Sequence, residues 1–323
     1  MAGRAGTGTD AVRSKRHGMR IAKTAAGTTI VAVAIAYIGS TLSGSWTDIR
    51  SATAALGWRE IVLSTVTLIP MYIAQAAYHV LSLESLSTAE RPTAGRLAAM
   101  TIYMQAQIVR YLPGKIWGVV YQAHAMNASH PPTRVVAANL FQNFTTLWMA
   151  VGISISIIGA HLGGPAWLLG IPATVAALEA LHRSRLPGHL IGMAARVPGL
   201  RNLSADIGWV PTSRRGLLTS LLSMEWGFFA LGMGMLFGAI LSAREAIVAT
   251  AWYAGASIIS LAAVMVPAGI AVREALFIGG NELVTAGAAQ LTVLAVAARC
   301  ILLTAEIGTA VLLNATRWAQ RHE

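Results

Sequence analysis

The chain of 323 residues is 55% hydrophobic and only 11% charged, with a mean hydropathy of +0.60. A soluble domain is about one quarter charged, so the composition excludes an ordinary soluble globular fold and indicates an all-α polytopic integral membrane protein. The net charge of +11 is not a nucleic-acid signature, because the cations sit in tails and connections beside apolar blocks, where they orient spans and attract anionic lipid.

Residues 1–20 read as a disordered basic tail with Arg4, Arg13, Lys15, Arg16 and Arg20. A single transmembrane domain is expected over 21–316, with a short tail at 317–323. A spanning helix needs roughly 20 mainly apolar residues, and the blocks 24–42, 61–83, 135–160, 164–182, 216–242 and 284–313 are the clear candidates. The first follows basic residues as a secretion signal does, but its run of about 19 uncharged residues exceeds the roughly 7–15 of a signal core. It reads as a retained anchor. Trp46 and Trp58 bracket the loop that follows, where an interfacial aromatic belt is expected.

Two further apolar stretches, 97–122 and 246–280, are interrupted. In the first, Pro113 lacks an amide hydrogen and disfavours helix at Leu112, and Gly114 tolerates unusual backbone angles. A helix is expected to stop near Tyr111 and restart near Lys115. In lipid such a break survives only where protein or a watery cavity covers the freed backbone groups. Arg110 and Lys115 flank it, so the segment points to a buried site for something anionic. In the second stretch, Pro267 and Gly269 open the helix, and a new one is expected from about Ile270. Glu274 gains there from the helix dipole and Arg273 does not. Arg273 therefore requires a carboxylate or a ligand anion. The competing reading is an interfacial arginine that snorkels to water.

The connection 183–215 carries Arg183, Arg185, Arg196, Arg201, Arg214 and Arg215, with Pro187, Pro198 and Pro211, and a short interfacial helix is expected over 189–197. A cytoplasmic N-terminus and a cytoplasmic 183–215 loop fit better if 97–122 dips in and returns than if it crosses. A cytoplasmic C-terminal tail with Arg317 and Arg321 asks the same of 246–280 from the outer face. The expected fold has about six full spans and two broken or re-entrant hairpins, about eight helical elements, with weak inverted symmetry. The expected location is the cell membrane.

The pair Arg110-Tyr-Leu-Pro-Gly-Lys-Ile-Trp117 and Val266-Pro-Ala-Gly-Ile-Ala-Val-Arg-Glu-Ala275 resembles the lysylphosphatidylglycerol synthase transmembrane-region family, which includes the flippase half of the multiple peptide resistance factor proteins. Ala271 stands where that family's second motif has its second glycine. The resemblance covers about residues 25–315. It implies an α-helical membrane domain with broken helices that moves lipids or lipid-linked head groups between leaflets. The bifunctional members add a soluble aminoacyl-transferase domain. The longest internal polar connection here is about 33 residues, short of the roughly 50 that a domain needs, so lysyl transfer is not expected.

On this reading Arg110, Lys115 and Arg273 hold a phosphate-bearing head group between the two broken elements. Gln107, Tyr111 and Tyr121 add hydrogen bonds and Trp117 an aromatic wall. Other charges lie at membrane depth, where each costs about 2.5–3.5 kcal/mol and normally faces a partner. Glu225 or Glu274 would carry a coupling proton, while Arg299 and Glu306, two turns apart, read more readily as an ion pair that locks helices. Glu179 and His182 read as interfacial. Gly234 and Gly238 read as a close-packing pair, and Cys300, the single cysteine, as packing.

His79, His124, His130 and His161 lack metal-ligand spacing, and neither a metal nor a cofactor is expected. No nucleophile elbow, phosphate loop or zinc-protease motif occurs, and Asp48 with Glu60 is a weak acidic pair. The rival readings are a non-transporting membrane partner of a glycosyltransferase or acyltransferase, and an enzyme acting on a lipid-linked sugar.

Overall fold

A computed structural model describes residues 46–86, 95–109, 117–184, 189, 215–262 and 272–320, and among these the chain is helical without a strand. Ten α-helices follow in order: α1 Trp46–Ala55, α2 Trp58–Ser85, α3 Arg96–Val109, α4 Trp117–Ala125, α5 Pro132–Gly163, α6 Gly170–Arg183, α7 Arg215–Gly238, α8 Ala243–Ala262, α9 Val272–Ile278 and α10 Ala288–Ala319. Four of them, α2, α5, α7 and α10, are long and apolar enough to cross a membrane. The chain is an all-α membrane protein.

The expected spans 61–83, 135–160, 216–242 and 284–313 fall on those four helices, and 24–42 lies outside the described residues. The block 164–182 differs. It starts as a 3-10 turn, Pro165–Leu169, and only 14 residues of α-helix follow, a rod of about 21 Å. Gly164 at φ 102° breaks the chain here, a conformation costly for any residue with a Cβ. A further difference is the end of α7. The helix stops at Gly238 and a new one begins at Ala243, because Ser242 and Glu245 form a capping box. The Glu245 amide donates to Ser242 Oγ (3.4 Å), and Glu245 Oε2 accepts from the Ser242 amide (3.0 Å) and hydroxyl (2.6 Å). Within the expected outer loop, α1 forms a helix of its own and packs on α10.

Helix α2 is the hub. Tyr78 to Leu83 are buried without interruption, which a helix allows only when neighbours surround it. It runs antiparallel to α7: Gln75 meets Glu225, Leu68 meets Gly232 and Thr67 meets Met235. The close approach is at Gly232, where a Cβ would lie 3.0 Å from Leu68. Gly234 has nothing within 4 Å and Gly238 meets only Ala246 Cβ at 4.0 Å, so the expected pairing through those two glycines is corrected to Gly232.

These pairings fix two ends of the bundle. At one, Arg96 Nε and Nη2 grip Glu84 at 2.7 and 3.0 Å, joining α2 to α3. The close of α6 and the start of α7 lie at this same end, linked by Glu179 and Thr219. At the other end Glu245 Oε1 accepts from the Thr285 amide (3.2 Å), joining the start of α8 to the approach of α10. The Ser242 hydroxyl, with the Ser242 and Thr285 amides, holds the Glu245 carboxyl below the usual carboxylate range.

Helices α3 and α4 form a hairpin that opens at the Arg96 end. Tyr121 donates to Gln105 Oε1 at 2.7 Å, and these residues stand eight positions either side of Pro113. The α8 and α9 hairpin opens at the Glu245 end, where the Trp252 indole donates to the carbonyls of Leu276 (3.1 Å) and Phe277 (3.2 Å). Both hairpins pack on α10. A shared apolar core carries Tyr103 and Met104 from α3, Phe277 and Ile278 from α9, and Leu291 to Leu313 from α10.

Candidate functional site

The helix α9 begins with the two charges singled out in the sequence. Arg273 Nη2 lies 3.0 Å from Glu274 Oε1, with side-chain exposures of 13% and 14%. Its guanidinium sits 4.7 Å over the Tyr253 ring on α8. Tyr253 meets Phe237 and Phe277 edge to face, and Phe237 and Phe277 stack at 5.4 Å. The arginine thus rests on an aromatic floor supplied by three helices. An internal carboxylate and a π face thus supply part of the partner that the sequence demanded.

On the opposite hairpin, Gln105 joins Tyr121 to α10 through Asn314, its Nε2 donating to Asn314 Oδ1 at 3.0 Å. Gln105 had no assigned role in the sequence reading, yet it ties the hairpin's limbs to their neighbour. Gln107 is half-buried on α3, and Trp117, at the start of α4, is 48% exposed. Arg110, Tyr111, Pro113, Gly114, Lys115, Pro267 and Gly269 lie outside the described residues.

Between the α3–α4 hairpin and α7, through α2 and α5, runs a largely buried line of polar groups whose direction is set by backbone carbonyls. Asn139 Nδ2 donates to Val135 O and to Gln122 Oε1, each at 2.8 Å. A carbonyl only accepts, so the Asn139 amide is oriented, and Gln122 must turn its Nε2 to His79 Nε2, which it contacts closely. At the other side Gln142 Nε2 donates to Gln75 O (3.2 Å), which turns Gln142 Oε1 to His79 Nδ1 at 2.8 Å. His79 is therefore a neutral imidazole with its proton on Nδ1. Tyr103 stacks on it at 4.4 Å. Finally Gln75 Nε2 donates to Glu225 Oε1 at 3.0 Å.

Glu225 is buried, and two acceptors of this last pair, Gln75 Oε1 and Glu225 Oε2, have no donor in the described structure. An amide at position 225 keeps the acceptor and adds a donor. Glu225→Gln is expected to hold or raise thermal stability by about 1 kcal/mol, whereas Glu225→Ala, which strands the Gln75 amide, is expected to lose about 1–3 kcal/mol. Melting midpoints of the detergent-extracted variants check the ordering.

A second polar line descends to the Arg96 end. The Tyr78 hydroxyl lies 2.8 Å from Thr145 Oγ1 and 3.0 Å from His182 Nε2, and His182 Nδ1 lies 2.9 Å from Thr219 Oγ1. Thr219 gives its single proton to the Glu179 carboxylate, so it must accept from His182 Nδ1. Glu179 also binds Arg183 Nε at 2.6 Å. His182 is fully buried. This corrects its reading as an interfacial residue: Tyr78 and Thr219, far away in sequence, enclose it. Glu179 is the partly exposed outer terminus of the same line.

On α10, Glu306 is fully buried and Arg299 half-buried. No group of three or more potential metal ligands occurs among the described residues. The fold and site together define an all-α membrane protein with a polar interior and a sequestered arginine in a helical hairpin. No family model matches the chain, and neither does any curated protein.

Proposed function

We propose that the protein is a membrane lipid transporter of flippase type, moving a phospholipid or polyprenyl-phosphate head group between leaflets. The observation that carries this reading is Arg273, a guanidinium held at 13% side-chain exposure in one of two hairpins that open at opposite ends of the bundle. In a bilayer such a charge is maintained for a partner. Short hairpins of opposite sense are how many transporters place half-helix ends near the midplane.

The membrane arrangement that goes with this reading has six crossings, counting 24–42 and α6, with α3–α4 re-entering from the cytoplasm and α8–α9 from outside. The Arg96 end is cytoplasmic because the six-arginine connection 183–215 joins α6 to α7 there. Arg110 and Lys115 on the first hairpin join Arg273 around the anion. A head-group phosphate displaces Glu274 from Arg273, since bidentate contact to phosphate is among the strongest pairings that arginine makes. Glu274 released in this way, or Glu225, takes the coupling proton, and Arg299 with Glu306 braces α10. The resemblance of the Pro113-Gly114 and Pro267-Ala-Gly269 motifs to the lysylphosphatidylglycerol synthase transmembrane region supports the same function.

The test is translocation of fluorescent anionic phospholipid in reconstituted vesicles. The double variant Arg110→Gln, Arg273→Gln is expected to lose transport while eluting as the same monodisperse species. Wild-type rates in that variant would end the proposal.

A further inference from the structure

A groove of about 600 Å³ runs along the outside of the bundle between α5 and α8. Val151, Ile155, Gly159 and Leu162 line it from α5, and Trp252, Gly255, Ile258 and Ile259 from α8, with Trp167 closing one side. On α5 the lining runs from Val151 to Gly163 on one helix face, about 18 Å. Its shape comes from glycine. Gly159 and Gly163 let the Trp167 ring lie against α5, where added Cβ atoms would stand 2.6 and 3.0 Å from it. Gly255 leaves the middle open: a Cβ there would meet only ordinary contacts, to Ser154 at 3.8 Å and Trp252 at 3.9 Å.

The lining carries no charge. Its one hydroxyl, on Ser154, donates to Ala251 O at 2.9 Å, and the Trp252 indole is held by the α9 carbonyls. Apart from the Trp167 indole, the lining offers a polar ligand little to bind. The groove opens sideways among Ile155, Leu162 and Ile259, each about half exposed or more, and its α5 wall belongs to a helix long and apolar enough to cross a membrane. Trp252, which forms its wall, is followed on α8 by Tyr253, which carries the Arg273 guanidinium. One helix thus lends a wall to the apolar slot and, on the next residue, the ring that underlies the Arg273 guanidinium of α9.

We infer that this groove binds one acyl tail of the lipid whose phosphate is held at Arg273. The head-group half of that statement rests on the transporter reading. The tail site itself does not. Because a tail in the bilayer is already out of water, the groove selects by van der Waals fit, and the expected effect is enrichment rather than irreversible capture.

The experiment uses the full chain in palmitoyl-oleoyl phosphatidylglycerol vesicles doped with the same lipid bearing a diazirine at mid-tail. After irradiation, labelled peptides are mapped by mass spectrometry. Labelling of 151–163 and 255–259 is expected to exceed, by severalfold, that of the exposed outer face of α2 at Ile61, Val62 and Val66. Gly255→Phe fills the slot and removes the groove labels while sparing those on α2. Gly255→Leu, a smaller plug, serves if the larger one does not elute as a single species. Equal labelling of both surfaces, groove labels unchanged in the plugged variants, or cross-links to a second copy or to 24–42 in place of lipid would each overturn the inference. Groove labelling alongside normal transport by Arg273→Gln would remove the head-group assignment and leave the tail site standing. Loss of transport in that variant without groove labelling would remove the tail site alone.

Discussion

Replacing His79 with leucine is expected to lower the stability of the protein by roughly 2–4 kcal/mol, because it strands two buried groups at about 1–3 kcal/mol each. The side chain is similar in bulk, so the loss comes from hydrogen bonding. Gln122 Nε2 would face an alkyl group, and Gln142 Oε1 would lose its donor. Interhelical hydrogen bonds in membranes average only about 0.6 kcal/mol, since freed groups usually find new partners. Here they are not free to turn. Asn139 fixes the Gln122 oxygen on one side and the Gln75 carbonyl fixes the Gln142 nitrogen on the other, so re-aiming either amide breaks the next bond. His79→Gln retains a donor and an acceptor and is expected to lose much less. Melting midpoints in detergent separate the two. Equal stability of His79→Leu and wild type would show that the line is not cooperative.

How far the sequence exposed this architecture depends on how local each signal is. The spans α2, α5, α7 and α10 were legible because a bilayer demands about 20 consecutive apolar residues, and nothing distant in the chain changes that demand. Helix ends were less so. The α7 overrun past Gly238 came from reading the apolar run on to 242, where Ser242-Ala-Arg-Glu245 is a capping box visible in the sequence but masked by its apolar surroundings. The Arg273 and Glu274 pair was legible as neighbours behind a break, while the Tyr253 floor, twenty positions earlier, was not. The polar interior was least legible. His79 bonds to residues 43 and 63 positions away and Glu225 to one 150 away, and no periodicity in a single helix announces such pairs. His182 was misread for that reason: at the end of a helix it looks interfacial until Tyr78 and Thr219 close over it.

The α9 limb depends on one close contact, and disturbing it is expected to be nearly as damaging. Gly280 packs flat on the Trp252 indole, where an added Cβ would fall 2.0 Å from Nε1 and 2.5 Å from Cδ1. The rigid ring has no rotamer escape that keeps its bonds to the Leu276 and Phe277 carbonyls. Gly280→Ala therefore adds overpacking of about 1–3 kcal/mol to a lost hydrogen bond of about 1 kcal/mol. The displacement falls on α9, so the Arg273 guanidinium leaves the Tyr253 face and transport is expected to drop with stability. Trimming the ring by Trp252→Leu relieves the collision. The double variant should then lose clearly less than the sum of the singles, with a coupling energy of about 1–2 kcal/mol, as expected for groups in direct contact. Additive losses would mean that Gly280 and Trp252 do not act on one another, and that α9 is held in place by its apolar packing on α10 rather than by the indole.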